Sequence, residues 1–329
     1  MASGADLDDA SSRAQTAVLE YTGLEPAEPV PRSRWVSRQG WVELNLASMR
    51  ELLAPLESRV EASSPAVVQG AVGAVAGRVM AVEIGGLLAL ASRRVLGQYE
   101  FPLLGGVRAP QLLFIGPNID SAVGELGGDP GAVLDWVAAH EVTHAVHFAS
   151  APWMRDHIAG LARSLLAATS LRVSAAEVLG AAQRVASSDP RALIAKLRDS
   201  DPLTLVAPAG SRETIARMQA TMAAIEGYAE HVMDAANDTA ADVERLRSGM
   251  ERRRDSRGPL ARLLSWLLGF ELKLRQYRDG KRFADDVVDR AGIAGLNRAW
   301  TAPDALPSLP ELHRADLWLA RVGRQALPA

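Results

Sequence analysis

Residues 138–148 read AAHEVTHAVHF and hold three of the six histidines in the 329-residue chain. Positions i and i+4 of a helix lie on the same face, so His140 and His144 can direct two imidazole nitrogens to one metal ion. Glu141 projects beside that ion, where its carboxylate can take a proton from a water that the ion holds. The HExxH spacing therefore predicts a zinc site, in which the metal lowers the pKa of the water and polarises a carbonyl while Glu141 acts as general base.

A catalytic zinc site needs a third protein ligand, and the absence of cysteine leaves His, Asp or Glu. The segment IEGYAEHVMDAAND, residues 225–238, places Glu226, Glu230 and Asp234 four residues apart on one helix face. A ladder of acids normally lies on a solvated helix face. Apolar residues flank this ladder, however, and the zinc site predicted around His140 and His144 still lacks its third ligand. This favours Glu226 as the third ligand. His231 competes with it and lies about 140° around the helix from Glu226, so both cannot serve one ion.

Other residues near the two motifs have weaker assignments. Tyr228 and His231 are candidates for stabilising the oxyanion of a tetrahedral intermediate. His147 follows His144 by three residues, and we expect it in the core or beside the ligands rather than on the metal. The residues after His144 read AVHFASAP, which lacks the glycine and the third histidine of the metzincin motif.

An HExxH helix followed by a distant EGYAE segment is similar to the gluzincin arrangement. That resemblance implies that Glu226 is a zinc ligand and that Glu230 orients a metal-bound histidine. More closely, the chain resembles an actinobacterial family of zincin-like metallopeptidases that is labelled as associated with deazaflavin coenzyme biosynthesis. This resemblance implies a zincin-like helical domain with hydrolase chemistry, and it leads us to expect Gln where this chain has His147. The resembling segments are RRVLGQYE (93–100), FIGPNI (114–119), WVAAHEVTHAVHF (136–148), PWMRDH (152–157), EGYAEHVMD (226–234) and LLGFELKLRQYRDGKRF (267–283).

The remaining pattern is dominated by helical periodicity. Asp129 and Pro130 form an N-cap and first-turn pair that predicts one long helix carrying the histidines. QLLFIG, residues 111–116, is the clearest strand because it is a short apolar run between turn-forming residues. We expect a mostly α fold (α+β), a zincin-like helical domain with a small β-sheet beside the active-site helix. We place this single domain at residues 13–329, after a flexible tail at residues 1–12.

Composition limits the classes of partner. With 48% hydrophobic and 23% charged residues the chain is typical of a folded protein, and its net charge of −3 argues against nucleic-acid partners. The Arg-rich stretch 245–257 contains acids and no aromatic residues, which favours a solvated helix end.

Arg78 and Glu83 interrupt the apolar stretch 66–96, so we expect no stable membrane insertion. The polar, acidic N-terminus does not resemble a secretory signal, which makes the cytoplasm the expected location.

The sequence thus predicts a zinc-dependent hydrolase of the metallopeptidase type that acts on a peptide or small amide, with the oligomeric state left open. The His and carboxylate ligand set favours zinc as cofactor. If the strand at 111–116 is an edge strand beside the active-site helix, an extended substrate could pair with it. The alternative is a non-catalytic, metal-stabilised scaffold or interaction protein with the zincin fold. Glu141 favours the enzyme, because a structural metal site does not need a base between its two histidines.

Overall fold

The computed structural model places the protein's elements as follows, in the part of the chain that it describes. That part comprises residues 4–63, 85–86, 88–101, 108–126, 129–168, 211–236, 248–249 and 270–325. The helices and strands are α1 (Gly4–Thr22), β1 (Ser33–Val36), α2 (Arg38–Ser63), β2 (Gly97–Glu100), β3 (Gln111–Ile115), α3 (Gly116–Leu126), α4 (Pro130–Ser150), α5 (Trp153–Ala168), α6 (Arg212–Ala236), α7 (Phe270–Asn297), α8 (Leu309–Leu312) and α9 (Ala315–Gln325). The predicted mostly α class with a small sheet is confirmed.

Helix α4 carries the HExxH residues and is buried along most of its length. The Asp129 carboxylate accepts the Ala132 N–H at its first turn, and Pro130 occupies the first helical position, as the sequence predicts. Most residues from Val133 to Ala149 are buried, because α1, α6 and the sheet all pack against this helix. A helix that is apolar on nearly every face is stable only inside such a shell.

The described strands form a three-stranded sheet in the order β1-β3-β2. β1 runs parallel to β3, with Ser33 opposite Leu112, and β2 runs antiparallel to it, with Gly97 opposite Phe114. Residues Leu112 to Ile115 of β3 are buried, as is typical of a strand covered on both faces. Strand β3 is therefore the central strand of the described sheet, so the condition for substrate pairing at 111–116, an edge position, is not met. Within the described residues, the free edge near α4 belongs to β2.

The N-terminal segment differs from the predicted flexible tail. From Gly4 onward it is helical, and Leu7 and Ala10 are buried in the main hydrophobic core. Together with Ala14 and Val18 they form an apolar stripe at helical spacing, which packs against α4. The polar and acidic residues between them conceal this stripe in the sequence. The prediction of a loose segment is thus wrong for residues 4–12.

The C-terminal part closes the same core. Helix α7 is broken at Gly292, whose φ of +68° is a left-handed conformation that glycine adopts without strain. Beyond this break, Trp300, Trp318 and Val322 are buried in the core that also contains Leu7.

Two predicted features fall largely outside the described residues: most of the apolar stretch 66–96 and most of the Arg-rich stretch 245–257. Among the helices that the structure does describe, none combines the length and apolar character needed to cross a membrane.

Candidate metal centre

Helices α4 and α6 bring three ligand atoms together. His140 and His144 come from α4 and Glu226 from α6, and one ligand atom of each lies within 4.8 Å of the other two. The two histidine Nε2 atoms are 3.2 Å apart. The Glu226 Oε2 atom lies 3.8 Å from Nε2 of His140 and 3.6 Å from Nε2 of His144. The triad predicted from the sequence is thus assembled from two helices that are distant in the chain.

A close helix crossing sets the position of Glu226. Gly227, the next residue, packs against the backbone of Gly280 in α7, and a Cβ atom at either glycine would collide with the backbone of the other helix. Only hydrogen side chains let the two helices approach this closely. In the sequence, the acids of EGYAE are informative by their spacing, whereas the role of its glycine depends on Gly280, which lies far along the chain.

Glu141 lies against strand β2. Its carboxylate Oε2 accepts the backbone N–H of Tyr99 at 3.0 Å, and its side chain abuts Gly97. Burial raises the pKa of Glu141 to about 7, and the charge of Glu226 contributes to the rise, while His144 and the Tyr99 N–H act in the opposite direction. The predicted general base is therefore buried beside the ligands.

Glu230 lies one helical turn after Glu226 and acts electrostatically on His144. Burial alone would lower the pKa of His144, but Glu226, Glu141 and Glu230 outweigh it and raise that pKa. The Glu230 side chain is buried as well. Its orienting role, implied by the gluzincin resemblance, stays a prediction, but its charge does act on a candidate ligand.

His147 is fully buried in an aromatic cluster. Its ring centroid lies 4.7 Å from that of Tyr228 and 4.0 Å from that of Trp300. Burial and the charge of His144 lower the pKa of His147 well below the usual value, which favours the neutral ring. Neither ring nitrogen has a hydrogen-bond partner among the described residues.

Both oxyanion candidates are bonded to side chains other than the three candidate ligands. Tyr228 is buried, and its hydroxyl donates to Oδ1 of Asn297 at 2.9 Å. His231 is bonded through both ring nitrogens: Nε2 lies 2.7 Å from the Tyr21 hydroxyl and Nδ1 lies 2.7 Å from the Asp285 carboxylate. Their described partners tie helices together, so the catalytic roles suggested for them gain no support from this geometry.

Comparison with known proteins agrees with this geometry. A model of the family described as zincin-like metallopeptidase matches residues 1–319. The chain belongs to this family. The resemblance seen in the sequence is thereby confirmed at the level of the zincin-like metallopeptidases, while the actinobacterial and deazaflavin labels stay predictions.

One solved structure is similar to the chain over nearly its full length. It comes from Chloroflexus aurantiacus and is described as a candidate hydrolase with a novel fold. The two chains share 28% identity and a TM-score of 0.71, with 97% of this chain and 90% of that chain covered. No curated protein matches the chain.

The three candidate ligands fit zinc, the metal that the family implies. Atoms bound tetrahedrally to zinc at about 2.0–2.2 Å lie about 3.3–3.6 Å from one another. The observed separations of 3.2, 3.6 and 3.8 Å need only small adjustments to reach those values. The three side chains keep 11–20% of their surface exposed, so the cluster is open to solvent on one side. Two imidazoles, one carboxylate and an open position are typical of catalytic zinc sites.

Proposed function

We propose that the protein is a zinc-dependent hydrolase of the metallopeptidase type that cleaves a peptide or other amide bond. The observation that carries this proposal is the juxtaposition of the ligand atoms of His140, His144 and Glu226 with the buried carboxylate of Glu141. A structural metal site needs its ligands but no base beside them. A carboxylate held beside them is what general-base catalysis requires.

Each residue has a distinct task in this proposal. His140, His144 and Glu226 hold the zinc, which when bound acidifies a water and polarises the substrate carbonyl. Glu141 accepts a proton from the attacking water at a carboxylate oxygen and returns it to the leaving amine. Glu230 places negative charge near His144, which favours an imidazole oriented toward a cation.

We further propose that substrates are peptides or small amides that bind in extended form. The position of β2 at the edge of the described sheet, beside Glu141, supports this proposal, because an added strand would pair with the outward backbone groups of β2 other than the Tyr99 N–H, which Glu141 already accepts. We also propose that the protein works in the cytoplasm without nucleic-acid or membrane partners. The net charge of −3 supports the exclusion of nucleic-acid partners.

Metal content is the first test. Mass spectrometry of the purified protein should find about one zinc per chain in wild type and little in Glu226→Ala, because two histidines alone make a weak site. His231→Ala should retain the zinc, since this histidine is bonded to Tyr21 and Asp285. An absence of zinc in wild type after reconstitution would refute the proposal.

Hydrolysis is the second test. Zinc-loaded wild type should cleave members of a quenched fluorescent peptide library, and Glu141→Gln should lose about 10²–10⁴-fold in rate while keeping its zinc. The exposed Glu20→Gln is the matched control and should behave as wild type. Bound zinc with no cleavage of any peptide or amide would favour the non-catalytic scaffold instead.

A further inference from the structure

The edge of strand β2 that pairs with no other described strand faces the carboxylate of Glu141. The N–H of Ile115 donates to the carbonyl of Leu96, so the residues at 96, 98 and 100 direct their backbone groups toward β3. The backbone groups of Gly97 and Tyr99 therefore point away from β3. One of them, the Tyr99 N–H, donates to Oε2 of Glu141 at 3.0 Å.

Because Gly97 has no side chain, the Glu141 side chain can occupy the space beside it. A Cβ atom at residue 97 would lie 2.5 Å from Cγ of Glu141 and 3.0 Å from both Cδ and Oε1. The positive-φ glycines of the described chain are Gly23 and Gly292, so an alanine at 97 conflicts with this glutamate rather than with its own backbone. Any side chain at this position must displace Glu141, whose buried surroundings offer little alternative room.

We infer that Gly97 and the backbone amide of Tyr99 are positioning residues for Glu141. The amide fixes one carboxylate oxygen, and the glycine lets the side chain lie flat against the strand, so that the other oxygen is left to handle the proton. This inference rests on the proposed function for its catalytic consequence, but the contact itself can be tested without a substrate. It assigns a role in the reaction to strand β2, which lies outside both motifs.

Amide hydrogen exchange, followed by NMR on metal-free and on zinc-loaded protein, tests the contact directly. The Tyr99 amide should be protected in wild type and in Glu141→Gln, whose side-chain oxygen can still accept. In Glu141→Ala it should exchange about tenfold faster or more, because a hydrogen bond to a charged acceptor is lost. The Gln98 amide, directed toward β3, is the internal control and should stay protected in every variant.

Equal protection of Tyr99 in wild type and in Glu141→Ala would overturn the inference. So would a Tyr99 amide that exchanges freely in wild type. Both outcomes are independent of catalytic activity, so they are distinct from a failure of the proposed function, which would show as zinc-loaded wild type that cleaves nothing.

Kinetics then test the catalytic consequence. Gly97→Ala should lower kcat by about 10–100-fold with zinc content and KM close to wild type, because the base is displaced while the ligands stay in place. Gly116→Ala is the matched control: it lies next to the same sheet, and its Cβ would meet only Trp35 at an ordinary 3.5 Å. A Gly97→Ala enzyme with wild-type kcat would refute the positioning role, whereas a fall in zinc content would point to a general disturbance of the site.

Discussion

At the scale of single residues, Tyr228 shows how a polar group in the site motif can serve the fold instead. Its hydroxyl donates to the Asn297 side chain, and the Asn297 amide in turn donates to the carbonyl of Thr22 at 2.8 Å. Burial raises the pKa of Tyr228 far above the usual value, so the phenol stays protonated. The three residues join helices α6, α7 and α1 through one short chain of hydrogen bonds.

Removing this hydroxyl should affect stability and leave catalysis intact. Tyr228→Phe should lower the free energy of unfolding by about 1–2 kcal/mol, because the oxygen of the half-buried Asn297 side chain loses its donor. Zinc content and peptide hydrolysis should be unchanged. Urea unfolding and hydrolysis rates measured on the same preparations check both statements. A loss of hydrolysis at unchanged stability would restore the oxyanion role that the sequence suggests.

At the scale of helices and strands, the crossing of α6 and α7 determines where the third ligand lies. Gly227 and Gly280 place two helix backbones in direct contact, one residue from Glu226. The contact cannot relax by side-chain rotation, because each glycine faces backbone atoms of the opposite helix.

Substituting this glycine should therefore move Glu226 as well as strain the fold. Gly227→Ala should lower the free energy of unfolding by about 1–3 kcal/mol or more and weaken zinc binding measurably, since α6 must shift away from α7. Gly160→Ala, on helix α5 with nothing within 4 Å of its Cβ position, is the control: it should leave zinc binding unchanged and should not lower the free energy of unfolding, because alanine favours a helix more than glycine does. Unchanged zinc affinity in a destabilised Gly227→Ala would show that the crossing supports the fold without positioning the ligand.

The short helix α8 is joined to α9 by Glu311. The Glu311 carboxylate accepts the Ser308 N–H at 2.9 Å and two guanidinium bonds from Arg321, at 2.7 and 3.0 Å. Burial by itself would raise the pKa of Glu311, but Arg321 and Ser308 outweigh it, so the pKa is lowered in the folded protein. A group with a lowered folded pKa stabilises the protein above its unfolded pKa and loses that contribution as the pH falls.

Glu311→Gln should accordingly destabilise the protein in a pH-dependent way. Near pH 7 we expect a loss of about 1 kcal/mol, because solvent screens this partly exposed pair and reduces the usual contribution of hydrogen bonds to a charged partner. The difference from wild type should begin to shrink as the pH falls below about 4.3, where unfolded glutamate takes up a proton, and should disappear below the lowered pKa of the folded protein. Urea unfolding of both proteins between pH 7 and about pH 3 measures it. A difference that does not change with pH would mean that Glu311 acts through packing and not through its charge.

At the scale of the whole molecule, the sequence predicts those features whose signal is local. The cap at Asp129, the length of α4 and the i, i+4 spacing of His140 and His144 are all contained in one segment. The four-residue spacing of Glu226 and Glu230, combined with the ligand count, sufficed to select the partner helix. These inferences depend on helix geometry, on helix capping and on the number of ligands that a catalytic zinc site needs.

The features that the sequence did not reveal are contacts between distant segments. Strand β2 is only four residues long, and its edge position depends on which strands pair with β3. The role of Gly97 becomes clear only when Glu141 is known to lie against it. The role of Gly227 becomes clear only when Gly280 is known to pack against it. The sequence did not reveal the helix at residues 4–22, because its apolar residues are spread among polar ones. Its burial depends on packing against α4.

The candidate zinc site joins α4 to α6, so metal binding should stabilise the molecule as a whole. Zinc bound by the folded chain at about 1,000 times its Kd contributes about 4 kcal/mol, provided that the unfolded chain binds it poorly. We expect zinc to raise the Tm of wild type by about 5–10 °C and a chelator to reverse the change. Glu226→Ala should show no zinc-dependent shift. His231→Ala should show the full zinc-dependent shift, because His231 is not in the ligand cluster. The absolute Tm of this variant should be lower, because the bonds of His231 to Tyr21 and Asp285 support the fold. The zinc-dependent shift, and not the absolute Tm, thus separates ligand from scaffold, and an equal shift in wild type and Glu226→Ala would exclude Glu226 as the third ligand.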